Sequence, residues 1–492
     1  MGGEKILMYK RLILGGPGAG KTTRLLEVMD EELSHGLKPY SIAFVSFTKK
    51  AVTEACQRAV LKFKLKEKDF LFFRTLHSLC YRQLGIKPNQ VMRPEHLREI
   101  GNLLGVPIIG KMMIDNDSGM WDGDKMLFMD NLARNVKQDL KDIWQQTDWD
   151  LSWPMVELFS KTLKAYKQKR GLIDFTDMLQ NFVQDGDDIG VEVAIIDEAQ
   201  DLTPLQWQVV DIAFAEVKRF YIAGDDDQAI YEWSGADINR FLGLEENERE
   251  ILPYSYRLPK MIFNEAMTLI KKIDKRYEKK WQPRDDLGKV TRCYSLDQID
   301  LTIPGTWLLL ARNVCFLSIL QEICVVQGIS YTMRGSFASV NPGEVQIIQE
   351  YERLRKGGVT NEIKGEEILR YLDQPRNLIP GAYRLSGLVS FDPGIWHDAM
   401  TGLTADKRSY YLTILKAGRK LTGIPKVHLD TIHGVKGGEA DNVVLLTDLT
   451  RATEEHWEKN PNAENRIFYV GMTRAKQNLY LVTPTTDRGF YV

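Results

Sequence analysis

Eight residues near the start of the chain constrain it most: Gly15, Gly16, Pro17, Gly18, Ala19, Gly20, Lys21 and Thr22. They follow a short apolar run, Leu12 to Leu14. They precede a segment, Thr23 to Leu33, in which Leu25, Leu26, Val28, Met29 and Leu33 recur at helical spacing. A strand, a glycine-rich turn and a helix in that order make a phosphate cradle. The glycines let backbone N–H groups converge on phosphate oxygens, and the helix N-terminus favours negative charge. Lys21 adds a positive charge, and the Thr22 hydroxyl can reach a magnesium ion. Gly15 to Thr23 are therefore candidate ligands of a nucleoside triphosphate. Strands go on alternating with helices beyond this point, which implies an α/β fold built on parallel sheets.

A P-loop needs an acid at the end of a second strand. Val191 to Ile196 is an apolar, β-branched run typical of a strand covered on both faces, and Asp197 ends it. Asp197 can hold magnesium there, and Glu198 beside it can orient and deprotonate an attacking water. A third segment, Phe220 to Phe241, reads FYIAGDDDQAIYEWSGADINRF. Its apolar run ends at Gly224, Asp225 to Gln228 follow, and Tyr231 and Trp233 come soon after. Carboxylates and an amide at a strand end, with two large aromatics just beyond, suggest two adjoining binding surfaces.

The bulk properties exclude several classes. A chain of 492 residues is too long for one core and suggests two to four domains. No apolar run approaches the ~20 residues that cross a bilayer, and no signal-peptide pattern opens the chain. The cysteine count is odd, 5, and no two cysteines are separated by two residues, so neither a zinc nor an iron–sulfur cluster is legible and a reduced cytoplasm is the expected setting. Net charge is −2, so a nucleic-acid partner would need a local basic groove. Lys62 to Lys68, Lys161 to Arg170 and Lys271 to Lys280 are local basic runs, each reading first as a solvated helix face.

The sequence DEAQD, Asp197 to Asp201, together with GDDDQAIYEWSGA, Gly224 to Ala236, closely resembles the UvrD/Rep family of superfamily 1 DNA helicases. Other segments fall in the family's order: SFTKKAVTEACQRA from Ser46, TLHSL from Thr75, GLIDFTDML from Gly171, YSYRLP from Tyr254, TIHGVKGGEADNVVLL from Thr431 and YVGMTRAKQNLYLV from Tyr469. The resemblance runs from Gly15 to Val482. It implies ATP and Mg2+ as cofactors and two RecA-like parallel-sheet lobes, each interrupted by a mainly helical insertion. The first lobe would be residues 1–84 with 172–255, interrupted by 85–171. The second would be 256–335 with 420–492, interrupted by 336–419.

The resemblance also implies roles for single residues. Lys21 and the P-loop hold the phosphates, Thr22 and Asp197 the magnesium, and Glu198 activates water. Gln228 senses the γ-phosphate. Tyr256 stacks on adenine, and Glu439 binds the ribose or a bridging water. Arg257 and Arg474, both assigned to the second lobe, reach the γ-phosphate across a cleft. Tyr231 and Trp233 stack on bases of single-stranded DNA, and Phe47, Thr48, Thr75 and His77 line the same path. The implied partners are single-stranded DNA and junctions with duplex, with no membrane. A monomer is favoured, and a protein partner could support processive unwinding.

Three departures from the family stand out. No glutamine precedes the P-loop in MGGEKILMYK, where the family reads adenine. The interruption at 336–419 is much smaller than usual, and the chain ends at Val492, soon after the last motif. A compact chain of this kind suits a phage or plasmid accessory protein. The expected activity is 3′→5′ helicase action driven by ATP. The alternative is a single-stranded DNA translocase or protein-remodelling ATPase without processive unwinding.

Overall fold

The computed structural model describes residues 8–110, 120–147, 149–335, 337–372 and 394–491. Short apolar runs build a first sheet from β1 (Tyr9–Leu14), β2 (Ile42–Ser46), β3 (Phe72–Arg74), β4 (Val193–Asp197), β5 (Arg219–Gly224) and β6 (Glu248–Ile251). Their order is β3-β2-β4-β5-β1-β6, and every pair is parallel. Successive side chains go to opposite faces. Leu12, Leu14, Val45 and Ile196 pack with Met178, Phe182 and Trp207. Ile13, Phe44 and Ile195 pack with Leu25, Val28 and Ala55. Cover on both faces explains why β2 and β4 are buried throughout and apolar up to their last residues, Ser46 and Asp197.

Register brings the chemistry together. Leu14 pairs with Gly224, and Ile196 with Ile222, so the carboxyl ends of β1, β5 and β4 lie side by side. The P-loop, Asp225 and Asp197 all leave the sheet at that edge, the usual ligand side of an open parallel sheet.

Helices Pro94–Leu104, Asp122–Val136, Leu140–Gln146 and Trp153–Arg170 form the insertion before Gly171, around Ile100, Met126, Met129, Phe159 and Leu163. The run MDNLARNVKQDLKDIW is two helices, broken where Lys137 turns left-handed at φ 60°. Lys167, in the second basic run, is not on a solvated face. It is buried, and it pairs with Asp174 at 2.5 Å and Asp177 at 2.7 Å. Arg134 reaches the same two aspartates, which ties the insertion to helix Phe175–Asp185.

β7 (Tyr254–Pro259) and β8 (Gln282–Arg284) pair only with each other. A second sheet holds β9 (Lys289–Cys293), β10 (Trp307–Ala311), β11 (Tyr331–Met333), β12 (Phe337–Ala338), β13 (Val427–Thr431), β14 (Ala440–Leu446) and β15 (Ala475–Val482), in the order β12-β11-β13-β10-β14-β15-β9. It is parallel except where β11 meets β12. The helices between β12 and β13 include Pro342–Arg355 and Ala405–Lys416, and their Tyr351 and Tyr411 join this sheet's core. No helix among the described residues is long and apolar enough to cross a membrane.

The chain divides into two compact units. One runs through Gly288 and takes in Ala452–Thr473; the other holds Lys289–Arg451 and Arg474–Tyr491. This differs from the boundaries read from sequence, which placed 256–288 and 452–473 in the second lobe. The cause is local packing. Ser255 Oγ donates to Pro17 O at 2.7 Å, and Tyr256 N donates to Gly18 O at 2.9 Å, so the start of β7 is bonded to the P-loop. Helix Pro461–Met472 is buried from Ala463 onward and packs on helix Lys260–Ile270 and the turn Asp226–Gln228.

Candidate active site

In the first unit, the glycines of the P-loop have steric work to do. Gly20 caps helix Lys21–Ser34 at φ 83°, which a side chain would resist. Gly18, at φ 70°, lies so close to β7 that a Cβ there would stand 2.4 Å from Arg257 Cβ. A Cβ on Gly16 would stand 2.7 Å from the Trp281 ring. The loop is thus packed between β7 and Trp281. Lys21 is buried, and its Nζ donates to Gly15 O at 3.0 Å.

Thr22 Oγ1 donates to Asp197 Oδ2 at 2.9 Å, joining the residues expected to hold magnesium. Asp197 is buried beside Glu198. Burial first, and the neighbouring carboxylate second, push its pKa up to about 6, against the pull of Lys21 and Thr22. A desolvated, crowded carboxylate of this kind is one that a divalent cation would relieve, so the pair fits the magnesium that a bound nucleotide brings. Glu198 sits in the left-handed region at φ 57°, uncommon for a residue with a side chain and a mark of local strain. Its Oε2 accepts from Gln200 Nε2 at 2.6 Å, and Gln200 Oε1 accepts from Asp225 N at 3.0 Å. Gln228 Nε2 donates to Asp225 Oδ2 at 2.6 Å. Lys21, Thr22, Asp197, Glu198 and Gln228 therefore share one edge, with Thr23 exposed on the first helical turn.

Tyr256 and Arg257 join them from β7. The Tyr256 ring is exposed, and its edge would be 3.7 Å from a Cβ on Gly20. Arg257 Nη1 donates to Thr473 O at 3.4 Å. Both lie in the unit of the P-loop, whereas the family order assigned them to the second lobe. Glu439 and Arg474 are in the other unit. Glu439 is exposed, 3.6 Å from Lys476, whereas Arg474 is buried with Nη1 on Gly438 O at 3.2 Å.

Beyond Gln228 the aromatics form stacked pairs. Phe47 lies against Tyr231 with ring centroids 5.3 Å apart, and Phe128 of the insertion lies against Trp233 at 6.0 Å. His77 meets the exposed Phe175 edge-on at 5.9 Å, and burial lowers its pKa to about 4. Thr48 and Thr75 are helix N-caps, accepting from Ala51 N and Ser78 N, so each hydroxyl has a structural task. Arg466 links this region to the segment after β7, with Nη1 on Glu232 Oε1 and Nη2 on Lys275 O, both at 3.0 Å.

Gln200, Arg276, Lys279, Trp281, Phe128 and Arg466 escaped the sequence reading. One signal was available for Lys279. Tyr277, Lys279 and Trp281 are alternate residues, and an aromatic on either side at period two marks an extended segment with Lys279 on the inward face. The third basic run is therefore not a solvated helix face at Lys279, which is buried.

The sequence matches the UvrD/REP helicase N-terminal domain over residues 5–249 and the UvrD-like helicase C-terminal domain over residues 412–486. It is 24% identical over 378 residues to the ATP-dependent DNA helicase PcrA of Staphylococcus epidermidis, covering 70% of this chain and 51% of that protein. PcrA of Staphylococcus aureus strain Mu50 matches over the same shares at 23%. The chain thus spans about half the length of the curated relatives it matches. A solved complex of arterivirus nonstructural protein 10, a helicase, with DNA aligns at a TM-score of 0.35 and 10% identity over 97% of this chain and 62% of that one, a likeness too loose to argue from.

Proposed function

The chain belongs to the UvrD/Rep family of superfamily 1 helicases, and from that premise we propose that it is an ATP-dependent DNA helicase moving 3′→5′ on single-stranded DNA. The observation that supports this most is the continuity of the Gly224–Trp233 segment. At one end Gln228 is bonded to Asp225 at the edge that holds Lys21 and Glu198. At the other, Tyr231 and Trp233 lie in stacked aromatic pairs. A change at the nucleotide can be felt at the aromatics within a single short stretch.

In this reading Thr22 and Asp197 would hold the magnesium that accompanies ATP, and it would supply charge neutralisation at the phosphates. Glu198 takes the proton of the attacking water. Its strained backbone and the Gln200 amide fix where the carboxylate points. Lys21 and Arg257 stabilise charge on the phosphates, and the family pattern assigns the same task to Arg474. Tyr256 takes the adenine and Glu439 the ribose. The DNA path is Phe47, Thr48, Thr75, His77, Tyr231 and Trp233, where stacking on each base is worth ~1–3 kcal/mol without sequence preference. The setting is the cytoplasm, in keeping with five cysteines that form no disulfide among the described residues.

The compact interruption at 336–419 favours a second reading, a translocase or remodelling ATPase that moves on single strands. Opening a base-pair step costs ~1.4 kcal/mol, so unwinding needs a separating element as well as a motor. Hydrolysis measured with and without oligo(dT) tests the shared premise, and a rate indifferent to DNA would overturn both readings. Displacement of a strand from a 3′-tailed duplex then separates them.

A further inference from the structure

One buried cation has no part in that account. The Lys279 side chain is fully buried, and its ammonium bonds Asp225 Oδ1 at 2.7 Å, Asp227 Oδ2 at 2.9 Å and Asp226 Oδ1. Arg276 holds Asp227 with two bonds, of 2.8 and 2.6 Å. The acidic triplet is therefore no metal site: an ammonium already stands among its oxygens. Burial alone would lower the lysine's pKa, but the three aspartates outweigh it and hold the charge on.

The two oxygens of Asp225 serve different partners, Oδ1 also accepting from Asp227 N at 3.3 Å. Oδ1 faces Lys279, and Oδ2 accepts from Gln228 Nε2 at 2.6 Å. A carboxylate accepts only, so turning the Gln228 amide over would set two oxygens against each other. We propose that Lys279 is a positioning residue for Gln228: by fixing Asp225 Oδ1 it presents Oδ2 to the amide nitrogen and so decides which amide atom faces the triplet. The segment that carries Lys279 also carries Trp281, whose ring lies over Gly16, so one strap braces the P-loop and the glutamine together. The bond from Asp225 to Gln200 runs through the backbone N–H and does not depend on the carboxylate.

This inference rests on Gln228 being the residue that couples DNA to hydrolysis, and the test separates the two. Lys279→Met would leave three buried carboxylates short of a cation and could fail to fold. Lys279→Met with Asp226→Asn removes one charge of each sign and keeps the cluster's net charge. Both are made in the wild-type and Gln228→Ala backgrounds, checked by thermal melting, and assayed for hydrolysis with saturating oligo(dT).

In the wild-type background the DNA-stimulated kcat should fall about ten-fold or more, the scale of a lost charge-assisted hydrogen bond. KM for ATP should stay within about two-fold, and in Gln228→Ala the same changes should add no more than about two-fold. Lys279→Arg, which keeps charge and donors, should recover most of the rate. Equal losses in both backgrounds would make Lys279 a structural residue only and overturn the inference, as would full stimulated turnover in the charge-balanced variant. Gln228→Ala turning over normally with DNA would overturn the coupling role of Gln228 itself, and the inference with it.

Discussion

Gly18→Ala tests whether the P-loop and β7 are one rigid body. The new methyl meets two costs. At φ 70° an L side chain loses ~1–2 kcal/mol to its own backbone. The Cβ would also stand 2.4 Å from Arg257 Cβ, 3.1 Å from Arg257 N and 3.2 Å from Ser255 Oγ. Ordinary carbon contacts begin near ~3.5 Å, and a Cβ cannot rotate away from its own backbone, so β7 must retreat by about 1 Å. That retreat strains the bonds from Tyr256 N to Gly18 O and from Ser255 Oγ to Pro17 O, each worth ~0.5–1.5 kcal/mol net. Together the terms come to about 2–5 kcal/mol of lost stability by urea denaturation. Arg257 travels with the strand, and a displacement of ~1 Å at a charge-stabilising group can cost ~100-fold in kcat. Gly36→Ala is the control. Its φ is 93°, but nothing lies within 4 Å of its Cβ, so it should show only the backbone cost and full hydrolysis. Gly18→Ala behaving like Gly36→Ala in both assays would refute the reasoning, because the loop and strand would then be free to part.

Glu198→Gln keeps the side chain's shape and its oxygen for Gln200 but removes the base; it should bind ATP with near-normal affinity and hydrolyse it orders of magnitude more slowly, and an undiminished single-turnover rate would place water activation elsewhere. Trp233→Ala should weaken oligo(dT) binding by ~1–3 kcal/mol in fluorescence anisotropy. Because Trp233 also stacks on Phe128, the melting temperature should drop slightly as well; unchanged DNA affinity with a lower melting temperature would make it a packing residue. His77 should titrate near pH 4 by NMR, against an ordinary 6.5. Its neutral form is favoured in the fold, so its contribution to stability is present above 6.5 and is lost as pH falls toward 4, and a midpoint near 6.5 would show that the imidazole is not desolvated.

Candidate phosphate-binding residues were legible because ligand chemistry dictates their spacing. Gly15 to Thr22 and Asp197 to Glu198 fell where the strand–loop–helix pattern put them, and the folded registers brought them to one edge. Residues that place those groups were not legible, since their partners are remote in the chain. Asp225 and Lys279 are 54 positions apart, and Ser255 and Pro17 are 238 apart. Lys279 in a basic run is indistinguishable by type from Lys280 beside it, which is exposed. The boundary expected at residue 256 and the division at Gly288 differ for the same reason. Family order assigns Tyr254–Pro259 to the second lobe, but hydrogen bonds to Pro17 and Gly18 hold it on the first unit. This has a mechanical consequence. Arg257 follows Ser255 and Tyr256, which are bonded to the P-loop, so its position depends on Gly18 and Ser255. Arg474 is held within the other unit, with Nη1 on Gly438 O. Substituting Arg257 and Arg474 singly should therefore give different signatures, with Arg257→Ala slowing hydrolysis about equally with and without DNA and Arg474→Ala acting mainly on the DNA-stimulated rate. Equal loss of stimulation in steady-state assays of both variants would mean that the two arginines act alike, and would refute the distinction.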